Sequence, residues 1–256
     1  MKRSFLLFFL ILQLAVCGVS AHTRQVTILD KVVHSKILRV GTTGDYKPFS
    51  YLNDAKYEGI DIELAKILAK TLGAEVKFVK TSWPTLMHDL KANKFDIAMS
   101  GISKKLLRQQ VGLFSKGYYV SGKTPISRCK DKGKFRNLES IDQPQVKLIV
   151  NPGGTNQKFV SKHIKLAQVI VHNDNNTIFE QIRRNNADIM ITDSIEVRLQ
   201  TKLYPDLCAA MPGETFDKFE KAYLMPRDLI WLEYVNAWLE LLVLNGRIDE
   251  LFAQYQ

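Results

Sequence analysis

Hydrophobic and polar positions along the chain follow two successive runs of alternating strand and helix patterns. The first run predicts strands at 37–41, 75–79 and 95–99, with helices at 59–72 and 83–92. The second run predicts strands at 147–150, 167–171 and 187–193, with helices from 157, over 176–185 and from 194 to 201. Apolar residues recur every three or four positions in the helices, and this element order is typical of parallel sheets with right-handed crossovers.

The repeated plan predicts an α/β chain of two lobes, each a mostly parallel sheet flanked by helices, with a ligand cleft between them. We expect residues 22–124 plus 219–256 to form the first lobe and residues 125–218 the second. Tryptophans at helical spacing in the tail predict a core-packed helix broken at Gly246 and a last short helix at 248–255. Ligands of such sheets bind where loops leave the carboxyl ends of the strands. The turns expected to line the cleft are 42–50, 81–84, 99–108, 151–156 and 192–196.

The first twenty-one residues have the pattern of a secretory signal peptide. Lys2 and Arg3 precede an apolar stretch, and Val19-Ser20-Ala21 supplies the small residues of a cleavage site. The stretch is too short and wrongly flanked for a membrane span, and no later segment reaches eighteen consecutive apolar residues. We therefore expect an exported, periplasmic protein cleaved near Ala21, without a stable membrane anchor. A lipoprotein, with Leu14-Ala15-Val16-Cys17 as its lipobox, stays an alternative.

Removing the signal changes the charge of the chain. The full chain has 256 residues and a net charge of +10, whereas the 235 residues after the signal carry 34 basic and 26 acidic side chains, or +8. Hydrophobic residues at 46% and charged residues at 24% are typical of a globular protein. The lysines are scattered and no nucleic-acid motif is present, so we expect no nucleic-acid partner. We interpret the charge as solvated surface that can also attract a small anion.

Cysteines and histidines predict a disulfide and no metal site. Cys129 and Cys208 remain after the signal, and an even number in an exported protein favours a disulfide, with two buried free thiols as the alternative. The five histidines show no metal-ligand spacing. Motifs of serine hydrolases and of dinucleotide-binding proteins are missing from the sequence, so we expect neither a serine hydrolase nor a dinucleotide cofactor.

Two turns on opposite lobes carry residues suited to binding anions. Gly153-Gly154-Thr155-Asn156 precedes a helix whose first backbone N–H groups can hold an anion, although a turn that only caps the helix has the same pattern. Ser103 follows a buried strand and Arg108 lies five residues further on. Together they favour a carboxylate, although a lone arginine on a helix is usually solvated. Two such turns suit a ligand with two acidic groups.

Three further residues are candidates for charge chemistry at the cleft. Asp193 and Glu196 are three residues apart at the mouth of a strand, so both carboxylates face one side. The alternatives are that Asp193 caps a helix and that Glu196 is a surface charge near the helix dipole. In a desolvated cleft the pKa of Glu196 would rise, so that it could donate a proton at neutral pH. Lys123 lies near the predicted crossover between the lobes, where a surface lysine is the alternative.

Three contiguous motifs resemble the periplasmic amino-acid-binding proteins of ABC importers. They are Gly44-Asp45-Tyr46-Lys47-Pro48-Phe49, Gly59-Ile60-Asp61-Ile62-Glu63-Leu64-Ala65 and Phe95-Asp96-Ile97-Ala98-Met99-Ser100-Gly101-Ile102-Ser103. The resemblance covers nearly all of the chain after the signal and implies a type II periplasmic-binding-protein-like fold. It also implies that Ser103, Arg108 and Thr155 hold a ligand's α-carboxylate, and that Asp193 holds its α-amino group.

A narrower resemblance is to the periplasmic cyclohexadienyl dehydratases, which share that fold and convert prephenate to phenylpyruvate and arogenate to phenylalanine. It rests on residues 81–84, 122–126, 141–144, 150–156 and 192–198. The resemblance implies a lyase of phenylalanine biosynthesis, with Glu196 as the general acid and Lys123 as an active-site lysine. It also implies cysteines at the positions of Cys129 and Cys208. A non-catalytic amino-acid-binding protein of an ABC transporter is the alternative function.

The implied reaction makes the substrate ring aromatic, so the protein has to protonate the departing hydroxyl and hold the ring carboxylate where decarboxylation can follow. The resemblance therefore implies that no cofactor is needed. We expect Glu196 to donate the proton and Lys123 to orient the ring carboxylate or hydroxyl. Trp83 and Tyr46 are expected to wall the ring. The full set of expected substrate-binding residues is Asp45, Tyr46, Trp83, Ser100, Ser103, Arg108, Asn151, Thr155, Asn156 and Asp193.

Overall fold

The computed structural model describes residues 25–255, and the predicted signal peptide with Cys17 lies outside them. The chain forms two lobes, each built on a five-stranded sheet. In chain order, the first lobe contains α1 (Ile28–Ser35), β1 (Ile37–Thr42), β2 (Asp45–Tyr46), β3 (Ser50–Asn53), β4 (Lys56–Glu58), α2 (Ile60–Thr71), β5 (Glu75–Lys80), α3 (Leu86–Lys91), β6 (Ile97–Ala98), α4 (Leu106–Gln109) and β7 (Leu113–Phe114).

Two antiparallel strands connect the lobes, β8 (Tyr119–Ser121) leading out of the first lobe and β14 (Phe219–Lys221) leading back. Between them, the second lobe contains β9 (Lys123–Arg128), a 3₁₀ helix (Cys129–Lys134), α5 (Leu138–Ile141), β10 (Lys147–Val150), α6 (Thr155–His163), β11 (Gln168–Val171), α7 (Ile178–Arg183), β12 (Ile189–Asp193), α8 (Ser194–Leu203) and β13 (Leu207–Ala209). The first lobe is completed by β15 (Leu224–Met225), α9 (Leu229–Leu244) and α10 (Arg247–Tyr255). The residue boundaries predicted for the lobes stay predictions.

Each sheet is mostly parallel, as the strand–helix pattern predicted, and one of its five strands runs against the others. The strand order is β5-β1-β6-β15-β7 in the first lobe and β11-β10-β12-β9-β13 in the second. The strand–helix–strand units supply the expected parallel pairs, β1 with β5 and β6, and β10 with β11 and β12. However, β15 and β9 each enter a lobe from the connecting strands and run antiparallel to their neighbours. Each lobe therefore receives one returning strand that local periodicity cannot reveal.

Several short elements of the first lobe were not predicted from the sequence pattern. Helix α1 was missed, although Thr27 and Asp30 form a capping box at its start. The small antiparallel sheet β2-β3-β4 was also missed, because its strands are two to four residues long and show no extended alternation. Helix α3 begins at Leu86 rather than at Trp83. The segment before α3 thus stays a loop, which leaves the Trp83 side chain free to face the cleft.

Helix α9 packs its tryptophans into the core of the first lobe, as its periodicity predicts. Trp231 and Trp238 are buried in one cluster with strand and helix residues such as Val40 and Leu64. The indole nitrogen of Trp231 donates to the backbone oxygen of Asp96 at 2.9 Å. This polar contact satisfies a donor that burial would otherwise leave unpaired. The core-packing prediction for the tail is confirmed.

A disulfide joins Cys129, at the start of the 3₁₀ helix, to Cys208 in β13, which confirms the predicted pair. The two residues are 79 positions apart in sequence, so the bond closes a long loop of the second lobe. The disulfide links the edge strand β13 to the 3₁₀ helix that follows β9, the strand beside β13 in the sheet.

Replacing both cysteines with alanine is expected to lower the free energy of unfolding by about 2–4 kcal/mol, because the unfolded chain regains the freedom that the cross-link removes. Urea unfolding followed by circular dichroism measures the loss. A reducing agent should bring the wild type to the stability of the variant and leave the variant unchanged. Equal stability of the two proteins under oxidising conditions would contradict the prediction.

Candidate active site

Three buried charged side chains meet between the lobes, with the carboxylate of Asp193 between two lysines. Asp193 ends β12, and its Oδ1 lies 2.5 Å from Nζ of Lys123, while its Oδ2 lies 2.6 Å from Nζ of Lys221. Lys123 begins β9 and is the register partner of Asp193 in the sheet. Lys221 ends β14, where the chain returns to the first lobe. β9 and β14 therefore each bring one lysine to the same carboxylate.

This charge cluster determines the ionisation of its members. Burial alone would raise the pKa of Asp193, but the charges of Lys123 and Lys221 outweigh it and hold that pKa below its ordinary value. Burial lowers the pKa of Lys221, and Asp193 opposes that shift. Asp193 occupies the N-cap position of α8 but makes no capping hydrogen bond, so capping does not account for it. One carboxylate between two ammonium groups leaves positive charge that favours an anionic ligand.

Side chains of the first lobe also reach the cluster. The Tyr46 hydroxyl donates to Oδ2 of Asp193 at 2.5 Å. Nζ of Lys221 lies 3.2 Å from that hydroxyl, and it donates to the Gly101 oxygen at 2.7 Å and to Oγ of Ser103 at 3.2 Å. These contacts hold Asp193 of the second lobe against residues of the first.

Two further contacts bring the lobes together. Nδ2 of Asn175, in the second lobe, donates to the backbone oxygen of Asp45, in the first, at 2.8 Å. Gly153 of the second lobe lies so near Pro84 of the first that a Cβ there would come within 2.6 Å of the proline nitrogen. Gly153 also has a φ of +76°, a conformation that favours glycine. The lobes are therefore closed around the cluster.

Arg108 lies beside the cluster as a buried cation. Its Nη1 donates to the backbone oxygen of Ser103 at 3.1 Å. Within residues 25–255 this is the one hydrogen bond that the guanidinium makes. Burial lowers the pKa of Arg108 to about 10, opposed by the charge of Asp193, so the side chain stays protonated at neutral pH. Most of its five donors are thus left for a carboxylate, which a guanidinium can bind through two parallel hydrogen bonds.

A chain of hydrogen bonds connects Lys123 to Glu196 within the second lobe. Nζ of Lys123 donates to Oγ1 of Thr155 at 3.0 Å and to Oδ1 of Asn156. Nδ2 of Asn156 donates to Oγ1 of Thr192 at 3.0 Å, and Thr192 donates to Oε2 of Glu196. The chain fixes the orientation of the Glu196 carboxyl from one side.

Glu196 is buried in the first turn of α8. This burial excludes the alternative that Glu196 is a surface charge near the helix dipole. Burial raises its pKa to about 8, with the charge of Asp193 adding to the shift and the hydrogen bond from Thr192 opposing it. The carboxyl is therefore mostly protonated at neutral pH. It lines a cavity of about 60 Å³ together with Asp45 and Asn175, and Asn175 also lines the central cavity.

The central cavity brings together most of the predicted substrate-binding residues. It measures about 20 Å³, room for about one water molecule. The predicted residues that line it are Tyr46, Trp83, Ser103, Arg108, Asn151, Thr155, Asn156 and Asp193. Asp45 lines the Glu196 cavity instead, and its Oδ1 accepts from Nε1 of Trp83 at 3.0 Å. Ser100 lies outside the central lining, and its hydroxyl bonds to Oγ1 of Thr43 at 2.8 Å within the first lobe.

Lys221 and Asn175 are site residues that the sequence analysis missed. Lys221 lies in the charged run Asp217-Lys218-Phe219-Glu220-Lys221, which resembles a solvated loop. A signal was nevertheless present, because Phe219 and Lys221 share one face of a short alternating strand. Asn175 lies in a polar turn without any such signal, yet its buried Oδ1 has no hydrogen-bond partner among the described residues.

Residues 25–255 contain neither a metal-binding cluster nor a helix that could span a membrane. No group of three or more His, Cys, Asp or Glu side chains in that range could hold a metal ion. None of the helices there combines the length and apolar character needed to cross a bilayer.

The chain is similar to known proteins over most of its length. Residues 38–256 match the family described as bacterial extracellular solute-binding proteins, family 3. The chain is 50% identical over 238 residues to the cyclohexadienyl dehydratase of Pseudomonas aeruginosa, covering 93% of this chain and 89% of that enzyme. It is 29% identical over 224 residues to a probable histidine-binding protein of Campylobacter jejuni, covering 86% of this chain and 84% of that protein.

Solved structures similar to this chain also include both a binding protein and an enzyme. An ancestral amino acid-binding protein, described as a precursor of cyclohexadienyl dehydratase, matches with a TM-score of 0.82 at 31% identity, over 90% of this chain and 99% of that one. An ancestral cyclohexadienyl dehydratase matches with a TM-score of 0.58 at 46% identity, over 91% of this chain and 98% of that one. The chain therefore belongs to the bacterial extracellular solute-binding proteins, family 3.

Proposed function

We propose that the chain is a cyclohexadienyl dehydratase, a lyase that converts prephenate to phenylpyruvate and arogenate to phenylalanine. The 50% identity to the cyclohexadienyl dehydratase of Pseudomonas aeruginosa carries the proposal. A buried carboxyl with a raised pKa at Glu196 and surplus positive charge around Asp193 are properties that this reaction needs. The family is extracellular, and we propose the periplasm as the compartment.

The chemistry assigns each group a task. Prephenate carries two carboxylates and a ring hydroxyl. Glu196 protonates that hydroxyl, the bond from ring carbon to oxygen breaks, and water leaves. The electron pair of the bond to the ring carboxylate moves into the ring, which becomes aromatic as carbon dioxide departs. Lys123 orients the ring substituents.

The second carboxylate of prephenate, on the side chain, needs a cationic partner. Arg108 offers unused guanidinium donors, and the hydroxyls of Ser103 and Thr155 lie on the same cavity. Trp83 and Tyr46 provide the walls for the ring. With arogenate, an ammonium group replaces the keto oxygen of that side chain, and Asp193 is the carboxylate that can accept from it.

Substrate binding on this scheme requires the lobes to separate. The central cavity of about 20 Å³ is too small for a ten-carbon substrate, and the Glu196 cavity of about 60 Å³ adjoins it through Asn175. Residues of both lobes line each cavity, with Asp45 opposite Glu196 and Tyr46 opposite Asp193. Separation of the lobes would join the two spaces, so that Glu196 and Arg108 could act on one molecule.

The direct test is to mix the purified protein after signal removal with prephenate and follow phenylpyruvate by its absorbance. Turnover well above the uncatalysed rate, measured in parallel without protein, is expected. Absence of turnover together with tight binding of a free amino acid would contradict the proposal and favour a binding protein of a transporter.

The pH dependence of turnover provides a second test. A general acid acts only while protonated, and burial raises the pKa of Glu196 to about 8. We therefore expect kcat for prephenate to be level near neutral pH and to fall about tenfold per pH unit above pH 8. Initial rates at saturating prephenate between pH 6 and pH 10 measure the profile. A kcat that rises through pH 8 would indicate a base in place of the acid.

A further inference from the structure

A larger cavity lies beside the catalytic centre, between α4 of the first lobe and α6 of the second. We call it the lateral cavity. Its volume is about 500 Å³, against about 20 Å³ for the central cavity. Arg108 and Thr155 line both, so the two spaces adjoin. Cavities of roughly 300–1,000 Å³ are typical of sites for small organic molecules.

One face of helix α6 extends from the catalytic centre into the lateral cavity. The lining residues on this helix are Thr155, Lys158, Phe159, Lys162 and His163. Their spacing of three and four residues is that of a single helix face. Thr155 contacts Lys123 in the centre, and the later residues continue the same face away from it. The helix thus carries one continuous surface from the centre into the lateral cavity.

Positive charge dominates the lateral cavity. Its basic lining residues are Lys105, Arg108, Lys123, Lys158 and Lys162, and Asp217 is the single carboxylate among the lining residues. Lys123 pairs with Asp193 at the centre. Nζ of Lys105 lies 3.8 Å from Asp217, a long ion pair. Lys158 and Lys162 form no ion pair with any residue of 25–255. An anion in this cavity would therefore meet cations whose charge the protein has not neutralised.

The remaining walls of the lateral cavity are apolar. Leu107, Leu138, Phe159 and Phe216 contribute side chains. The rings of Phe159 and Phe216 stack with centroids 5.8 Å apart. The ring of His163 lies 4.5 Å from that of Phe159. A ligand that matches both kinds of wall carries a ring and at least one negative charge.

We propose that the lateral cavity is a second binding site, for a small organic anion with a six-membered ring. The choice of this ligand class rests on the proposed function, whose substrate and product belong to it. Arg108, which we assign to the substrate carboxylate, lines both cavities. An anion bound in the lateral cavity therefore lies next to Arg108. The lateral site therefore holds such anions next to the centre.

Titration calorimetry with phenylpyruvate as the probe tests the proposal by counting sites. We expect two sites per chain in the wild type. Lys158→Glu combined with Lys162→Glu should remove one of them, because the charge of the lateral cavity reverses. Trp83 lines the central cavity but not the lateral one, so Trp83→Ala should weaken the other site and keep the lateral one.

A matched control is Lys130→Glu combined with Lys147→Glu, two exposed lysines of the second lobe that do not line the lateral cavity. This variant should bind as many phenylpyruvate molecules as the wild type. Circular dichroism verifies folding, and Lys158→Gln combined with Lys162→Gln replaces the charge reversal if that variant does not fold. An unchanged number of sites in the Lys158 and Lys162 variant would overturn the proposal. Failure to convert prephenate would instead overturn the proposed function, since the site count does not depend on turnover.

Discussion

Glu196→Gln is expected to lower kcat for prephenate by about a hundredfold to ten-thousandfold, the usual contribution of a general acid. Glutamine keeps the shape of the side chain and can still accept the hydrogen bond that Thr192 donates, but it has no acidic proton to give. The formation of phenylpyruvate at saturating prephenate measures the loss. The Kd for phenylpyruvate, measured by calorimetry, should change little because volume and burial are preserved.

The matched control is Glu139→Gln, the same substitution at an exposed glutamate of α5. Its kcat should equal that of the wild type. Full activity in Glu196→Gln would contradict the assignment of the acid. A loss of activity that is accompanied by an equal loss of phenylpyruvate binding would contradict it as well, because it would indicate that Glu196 shapes the site without donating a proton.

Asp193→Asn is expected to lower the free energy of unfolding by about 3–5 kcal/mol, the cost of leaving a buried charge without its partner. The substitution leaves the buried ammonium groups of Lys123 and Lys221, both within 2.6 Å of the carboxylate, without a countercharge. Urea unfolding at neutral pH measures the loss. The expected loss exceeds that for most single surface substitutions.

At acidic pH, the difference in the free energy of unfolding between the wild type and Asp193→Asn should become smaller. The two lysines hold the pKa of Asp193 below its ordinary value, so its ionised form stabilises the fold above about pH 4. That contribution is lost progressively as the pH falls below this value. The control is Asp206→Asn, which breaks an exposed ion pair with Arg183 and should cost much less. Equal losses in the two variants would refute the special role of the buried cluster.

Local periodicity was sufficient to predict the repeating units of the fold, since each helix and parallel strand buries one face over several turns or alternations. It was insufficient for elements defined by distant partners. β9 and β15 run antiparallel to their neighbours because the chain enters each lobe from β8 or β14, and that route is set by tertiary structure. Likewise, β2, β3 and β4 are too short for a pattern and exist through pairing with one another.

The placement of a side chain at the cleft could be predicted where it follows directly from a strand or turn. Arg108, Thr155 and Asp193 line the central cavity as expected, because strand ends and helix starts converge there. Ser100 sits at such a strand end too, yet its hydroxyl turns inward to Thr43. Lys221 could not be distinguished from neighbouring surface lysines, because its burial arises from contacts with residues far away in sequence, such as Tyr46 and Gly101.

The contact between Gly153 and Pro84 sets how near the two lobes can approach. A methyl group in place of one hydrogen of Gly153 would meet the proline ring and act as a wedge. Neither residue carries charge, and neither belongs to the hydrogen-bond chain that ends at Glu196. In evolutionary terms, position 153 is constrained twice, because a side chain there would strain the turn at its φ of +76° and would also collide with Pro84.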